Sequence, residues 1–216
     1  MNAVKTANDE PIPGYRLIEP LGSGGFGEVW KCEAPGGLFK AIKFVRGESD
    51  ELHSQGADGA EQELRALQHI KTLRHPFLLS MDRVEHIDGE LIIVMELADR
   101  SLHDVLCECR EAGLPGVPRT ELLRYFAEAA EVLDLLNQEY GLQHLDIKPR
   151  NLFVVGRHVK VADFGLVNSL AELSGSTPSA LQLGATTPVY AAPESFLGKV
   201  TLFSDQYSLA VAYFEL

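Results

Sequence analysis

The sequence is short of cysteine, of positive charge and of long apolar runs, and each shortage closes off a class of protein. Its three cysteines, Cys32, Cys107 and Cys109, supply no disulfide framework, and Cys107-Glu108-Cys109 has the wrong spacing for a zinc knuckle. They read as free thiols of a reducing compartment. Lysine and arginine number 19 against 31 acids, a formal net charge of −12, so the basic footprint of a nucleic-acid-binding surface is missing. No run approaches the roughly 20 apolar residues of a membrane span. The opening M-N-A-V-K-T-A-N-D-E-P lacks the apolar core of a signal peptide. A cytoplasmic chain is expected. What is there is ordinary for a soluble globular protein: 216 residues, 45% hydrophobic and 23% charged, enough for one or two domains with a real core.

The stretch Gln143 to Asn151, Q-H-L-D-I-K-P-R-N, concentrates chemistry. Asp146 can orient a hydroxyl and accept its proton, Asn151 can hold a metal, and Lys148 can neutralise a phosphate in flight. That set suits phosphoryl transfer, in which a protein mainly positions groups and stabilises charge.

Upstream, residues 1 to 14 are polar with Pro11 and Pro13 and are expected to form a flexible tail. A strand over Tyr15 to Leu21 leads into Gly22-Ser23-Gly24-Gly25-Phe26-Gly27, where glycines let backbone N–H groups approach phosphate oxygens. A dinucleotide-binding turn would need a helix next. Instead Glu28 to Cys32 alternates and is β-rich, then turns at Pro35-Gly36-Gly37, so the stretch reads as strand–loop–strand, a flap over a nucleotide or else a structural hairpin. Lys43 lies inside the apolar strand Leu38 to Val45, where it either snorkels or needs a partner. In the helix expected over Gly59 to about Leu73, Glu61 and Glu63 are the candidates; Glu63 shares a face with Leu67 and Ile70 and is the choice.

Strands follow over Met81 to Ile87 and Glu90 to Glu96, joined at Asp88-Gly89. Leu91 to Met95 is apolar throughout, as in a strand buried on both faces. Ser101 caps a helix to about Glu111. Arg119 to Tyr140 is the clearest helix, with Leu122, Phe126, Ala129, Leu133 and Leu136 on one stripe and Gly141 as its stop. After Asn151 a hairpin turns at Gly156-Arg157 and ends at Asp163-Phe164-Gly165, a good place for a metal-binding carboxylate. Residues 168 to 186 read as a loop, and Ser174, Ser176, Thr177 and Ser179 in it are candidate phosphorylation sites or plain solvated residues. Thr201 to Leu216 reads as an apolar helix with Asp205 near its start.

Five separated motifs in this order resemble the protein kinase family over about residues 15 to 216. The resemblance implies an α+β, two-lobe fold: an N-lobe of about 15 to 96 with an antiparallel sheet and one helix, and a mainly helical C-lobe from about 99 to 216. It implies ATP and Mg²⁺ as cofactors and a protein as substrate. Gly22, Gly24 and Gly27 correspond to the phosphate-covering loop, and Lys43 to the phosphate-binding lysine paired with Glu63. Asp146 corresponds to the catalytic base, and Asn151 and Asp163 to the metal ligands. Lys148, with Thr187 in the substrate loop Thr187 to Glu194, matches the serine/threonine pattern, and the overall style is similar to bacterial serine/threonine kinases. Met95 corresponds to the gatekeeper. Glu96 and Ala98 would offer backbone groups to adenine, and Leu21, Val29, Ala41 and Phe153 would sandwich its ring. The alternative from another class is an inactive kinase-like module that binds nucleotide or scaffolds a partner; the intact set Lys43, Asp146, Asn151 and Asp163 speaks against it.

Four departures stand out. Leu145 replaces the arginine that usually precedes the base and reads a phosphate on the activation loop, which implies less dependence on loop phosphorylation unless another basic residue substitutes. Glu63 lies thirteen residues before Pro76, a longer interval than usual. Thr186 stands where a glycine often precedes the substrate-loop threonine. The family has further helices beyond the one carrying Asp205, including the usual arginine partner of Glu194, so the chain is expected to be part of a longer protein.

Overall fold

The computed structural model describes residues 4–24, 27–45, 71–87, 90–163, 168–169, 187–197 and 199–216. The chain divides into two units, one of Met1–Leu73 with Ser80–Leu97, the other of Arg74–Leu79 with Ala98–Leu216. The segment 74–79 thus belongs with the second unit, although it precedes two strands of the first.

The first unit is built on an antiparallel sheet of five strands: β1 (Arg16–Gly24), β2 (Gly27–Ala34), β3 (Leu38–Val45), β4 (Met81–Ile87) and β5 (Glu90–Glu96), in the order β1-β2-β3-β5-β4. Alternation fixes which face is buried. Trp30 and Cys32 on β2, Ile42 and Phe44 on β3, and Ile92 and Val94 on β5 point into one core with Leu17. Ile93 is buried as well, so the middle of β5 is covered on both faces. Gly36 and Gly37, with φ of +85° and +76°, make the turn that brings β3 back along β2.

The opening residues differ from the loose tail that their composition suggests. Ile12 is 1% exposed and is part of the same core. Asn8 N–H donates to Leu17 C=O and Leu17 N–H to Asp9 C=O, each at 2.8 Å. Lys5 Nζ lies 2.9 Å from Glu90 Oε1 and 4.2 Å from the Phe44 ring centroid. One buried isoleucine, placed between two prolines, is enough to seat the segment on the sheet. Of the helix expected over 59–73, only Lys71 onward is described, with Lys71 and Thr72 helical. Glu61 and Glu63 lie outside the described residues, as does the Asp88-Gly89 turn.

The second unit begins with β6 (Arg100–Ser101) and α1 (Leu102–Glu111). A capping box starts α1: Asp104 N–H donates to Ser101 Oγ at 3.2 Å, and Ser101 N–H to Asp104 Oδ2 at 2.9 Å. Helix α2 (Arg119–Tyr140) has the bounds that its periodicity predicts, and Gly141 at φ +63° ends it in the left-handed conformation. The expected stripe Leu122, Phe126, Ala129, Leu133 and Leu136 is buried. Glu128 is buried beside it, where its carboxylate accepts from Val159 N–H at 2.8 Å and from His158 Nδ1 at 2.7 Å. That pair pins the hairpin of β8 (Leu152–Val155) and β9 (His158–Val161) to α2. β7 (Leu142–Gln143) pairs with β10 (Asn168–Ser169), and α3 (Ser204–Glu215) completes the unit. α3 starts later than Thr201 because Thr201 and Ser204 form its entry turn, with Thr201 N–H donating to Ser204 Oγ at 3.0 Å.

Candidate active site

Two sets of candidate residues lie one in each unit. In the second, β7 delivers the chain to His144, Leu145 and Asp146. His144 is buried; its Nε2 lies 2.9 Å from Ala162 C=O and its Nδ1 accepts from Asp146 N–H at 3.3 Å. Leu145 takes φ +64°, a left-handed conformation unusual for a branched side chain. Asp205 stabilises it, since its carboxylate accepts from His144 N–H at 2.7 Å and from Leu145 N–H at 2.8 Å. Burial raises the pKa of Asp205, and the neighbouring His144 ring and these two N–H donors oppose the rise.

The turn at Leu145 points Asp146 at a ring of donors. Its Oδ2 accepts from Lys148 Nζ at 2.6 Å and from Asn151 Nδ2 at 3.0 Å. Its Oδ1 accepts from Thr187 Oγ1 at 3.1 Å and from Thr187 N–H at 3.3 Å. Lys148 Nζ also donates to Thr187 Oγ1 at 2.9 Å, which closes a triangle of acid, ammonium and hydroxyl. Asp146 is only 7% exposed, and a carboxylate so buried requires pairing of this kind. Such a group can accept a proton from a hydroxyl while the adjacent ammonium offsets negative charge beside it.

Pro149–Asn151 forms a single 3-10 turn that carries Asn151 inward. Asn151 Nδ2 also donates to Asp146 C=O at 2.8 Å. The Oδ1 of this 4% exposed side chain accepts no hydrogen bond among the described residues. Ala162 N–H donates to Asn151 C=O at 3.0 Å, so the end of β9 is tied to the turn and Asp163 follows directly. Asp163 has φ +67°. Phe153 is half-buried on β8. Phe164, Gly165 and the loop residues Ser174, Ser176, Thr177, Ser179 and Thr186 lie outside the described residues.

In the first unit, Lys43 is 8% exposed on β3, between Val29 of β2 and Ile93 of β5. The expected Lys43–Glu63 pair falls on Glu63, outside the described residues. β1 and β2 stay paired up to Gly24 opposite Gly27, while Gly25 and Phe26 lie outside the described residues. Gly27 has φ +123°, and a Cβ there would stand 1.8 Å from Phe44 C=O; a Cβ on Gly22 would meet nothing within 4 Å. Leu21 is exposed, Val29 half-buried and Ala41 buried. Met95 and Glu96 are half-buried at the end of β5, and Ala98 is half-buried at the start of the second unit. Glu96 N–H donates to Ser80 C=O at 3.0 Å, so the backbone group it could present to a ligand is its carbonyl.

The model of the protein kinase domain family matches residues 15–216. The chain belongs to the protein kinase family. Among curated relatives, the kinase domain is 30% identical over 219 residues to the serine/threonine-protein kinase PknF of Mycobacterium tuberculosis, covering 97% of this chain and 44% of PknF. It is 31% identical over 210 residues to the serine/threonine-protein kinase pkn2 of Myxococcus xanthus, covering 94% of this chain and 24% of that one. It is 29% identical over 211 residues to the NUAK family SNF1-like kinase 2 of Rattus norvegicus, covering 94% of this chain and 30% of that one. The chain therefore spans less than half the length of these relatives. The fold has the expected α+β character, with the five-stranded antiparallel sheet in one unit and the helices α1, α2 and α3 in the other.

Two features of the kinase domain escaped sequence reasoning. Asp205 stood out only as an acid in an apolar helix; its two backbone contacts to the segment before Asp146 come from 60 and 61 residues away. Glu194, expected to await an arginine, accepts here from Thr201 Oγ1 at 3.1 Å and from Ser204 Oγ at 3.2 Å. No helix among the described residues is long and apolar enough to cross a membrane.

Proposed function

We propose that this domain is an active serine/threonine kinase, transferring the γ-phosphoryl group of ATP to a serine or threonine hydroxyl of a protein. The observation that carries the reading is the triangle of Asp146, Lys148 and Thr187, with separations of 2.6, 2.9 and 3.1 Å. In this reading Asp146 orients the acceptor hydroxyl and takes its proton, and Lys148 stabilises charge on the group in flight. Thr187 holds both side chains in place from the substrate loop. The names of the bacterial relatives, both serine/threonine-protein kinases, agree.

The residues fit a divalent cation. Asn151 offers an amide oxygen that is buried and accepts no hydrogen bond among the described residues, and Asp163 offers a carboxylate one residue beyond the Ala162–Asn151 backbone bond. One amide oxygen and one carboxylate suit Mg²⁺, which proteins commonly bind through one or two carboxylates, with phosphates and water completing the shell. Bound there, Mg²⁺ neutralises charge on phosphate oxygens. Lys43 and the backbone of Gly22, Gly24 and Gly27 would position the phosphates. Leu21, Val29, Ala41, Met95 and Phe153 would hold the base, with backbone groups of Glu96 and Ala98 at its edge.

The test is phosphotransfer to protein substrates beside a nucleotide-binding measurement with Mg²⁺. Lys43→Met and Asp163→Asn are each expected to lower transfer by about a hundredfold or more. Near-wild-type turnover in either variant removes these assignments. Binding without transfer in the unaltered protein favours a kinase-like binding module instead.

A further inference from the structure

Arg150 has no part in the chemistry above, yet it stands between two residues that do. Its neighbours Lys148 and Asn151 both touch the Asp146 carboxylate. The 3-10 turn that buries Pro149 and Asn151 turns Arg150 outward to solvent. Its Nη2 donates to His103 Nε2 at 2.8 Å, on the first turn of α1. Its charge also opposes the rise in the Tyr190 phenol pKa caused by burial and by Glu215. Arg150 therefore lies beside the first turn of α1, next in sequence to the partners of the Asp146 carboxylate.

No carboxylate is within ion-pair distance of this guanidinium among the described residues. Asp104 feels its charge, but that carboxylate is engaged by Ser101 N–H and Oγ. Arg110, Arg119 and Arg157 are also exposed without a carboxylate partner among the described residues, but only Arg150 lies in the segment that carries Asp146, Lys148 and Asn151. A guanidinium fork also matches a carboxylate better than any other cationic side chain does. An extended peptide advances about 3.3 Å per residue, so positions two to four from an acceptor at Asp146 lie about 7–13 Å from it.

We infer that Arg150, propped by His103, is a specificity-determining residue that selects substrates with an acidic side chain two to four residues from the acceptor hydroxyl. The inference rests on the reading above, in which the acceptor binds at Asp146.

It is tested by kcat/KM on three peptides that share one threonine and carry Asp, Ala or Lys at the second to fourth positions on either side. The protein is expected to favour the Asp peptide over the Ala peptide by about fivefold and to use the Lys peptide least, the size of one partly exposed ion pair. Arg150→Gln is expected to bring the three together, and Arg150→Glu to reverse their order. Because each ratio is taken within one preparation, the folded fraction of a variant cancels. Equal use of Asp and Ala peptides by the unaltered protein, or an unchanged order in Arg150→Glu, overturns the inference and leaves the kinase reading standing. Transfer to none of the three, nor to any protein acceptor, contradicts the kinase reading and the inference with it.

Discussion

Asp205 accepts hydrogen bonds from the backbone N–H groups of both His144 and Leu145, at 2.7 and 2.8 Å. One buried carboxylate thus fixes two consecutive peptide units immediately before Asp146, including the left-handed turn at Leu145. The direction in which Asp146 points depends on this anchor.

Asp205→Asn tests the anchor. An amide can accept from one of the two N–H groups, but its own NH₂ then faces the other. A buried donor left without a partner is expected to cost about 2 kcal/mol. The measurement is the urea midpoint of the variant, taken with its rate of phosphotransfer. A lowered midpoint with reduced transfer is the expected result; an unchanged midpoint would show that the two bonds stabilise nothing.

The glycines of the β1–β2 turn divide by the space around them. At Gly27 both the φ of +123° and the 1.8 Å approach of Phe44 C=O oppose a side chain, whereas Gly22 faces open space. Gly27→Ala is expected to lower the melting temperature by about 4 °C or more, with weaker stabilisation by MgATP, because β2 must move away from the strand that carries Lys43. Gly22→Ala is expected to melt within about 2 °C of the parent protein. Equal melting of the two variants would contradict this division.

The opening segment makes a separate prediction. Ile12 is 1% exposed in the core of the first unit. Ile12→Ala is expected to cost about 2–4 kcal/mol. The Lys5–Glu90 pair joins side chains 14% and 16% exposed, and Lys5→Ala, which leaves the part-buried Glu90 carboxylate without this donor, is expected to cost about 1–3 kcal/mol. Denaturant unfolding of both variants distinguishes a seated segment, with a large loss at Ile12, from a loose one, with no loss at either.

Much of the fold could be read from periodicity. The bounds of α2, the strands β3 and β5 and the β8–β9 hairpin follow from apolar spacing and glycine turns, because burial of one face dictates both period and register. The opening segment could not be read so: a single isoleucine flanked by Pro11 and Pro13 has no period, and only the sheet supplies its partners. Motif order pointed to Asp146, Lys148, Asn151 and Thr187 individually. That Thr187 reaches Asp146 across 41 positions is a tertiary fact with no local signal. Asp205 and Glu128 were hidden for the same reason, since each acid lies in an apolar stretch and takes backbone donors from a distant segment. Composition likewise could not single out Arg150, whose interest lies in what it does not pair with.

The central claim is that the Asp146 carboxylate, within its triangle of Lys148 and Thr187, directs transfer to a hydroxyl. The most direct measurement is single-turnover transfer from γ-labelled ATP to a threonine-containing protein by the parent and by Asp146→Asn, with nucleotide binding recorded for both. The account predicts unchanged MgATP binding and a fall in transfer of about a hundredfold to ten-thousandfold in the variant. Transfer at a near-parental rate with Asp146→Asn would contradict it.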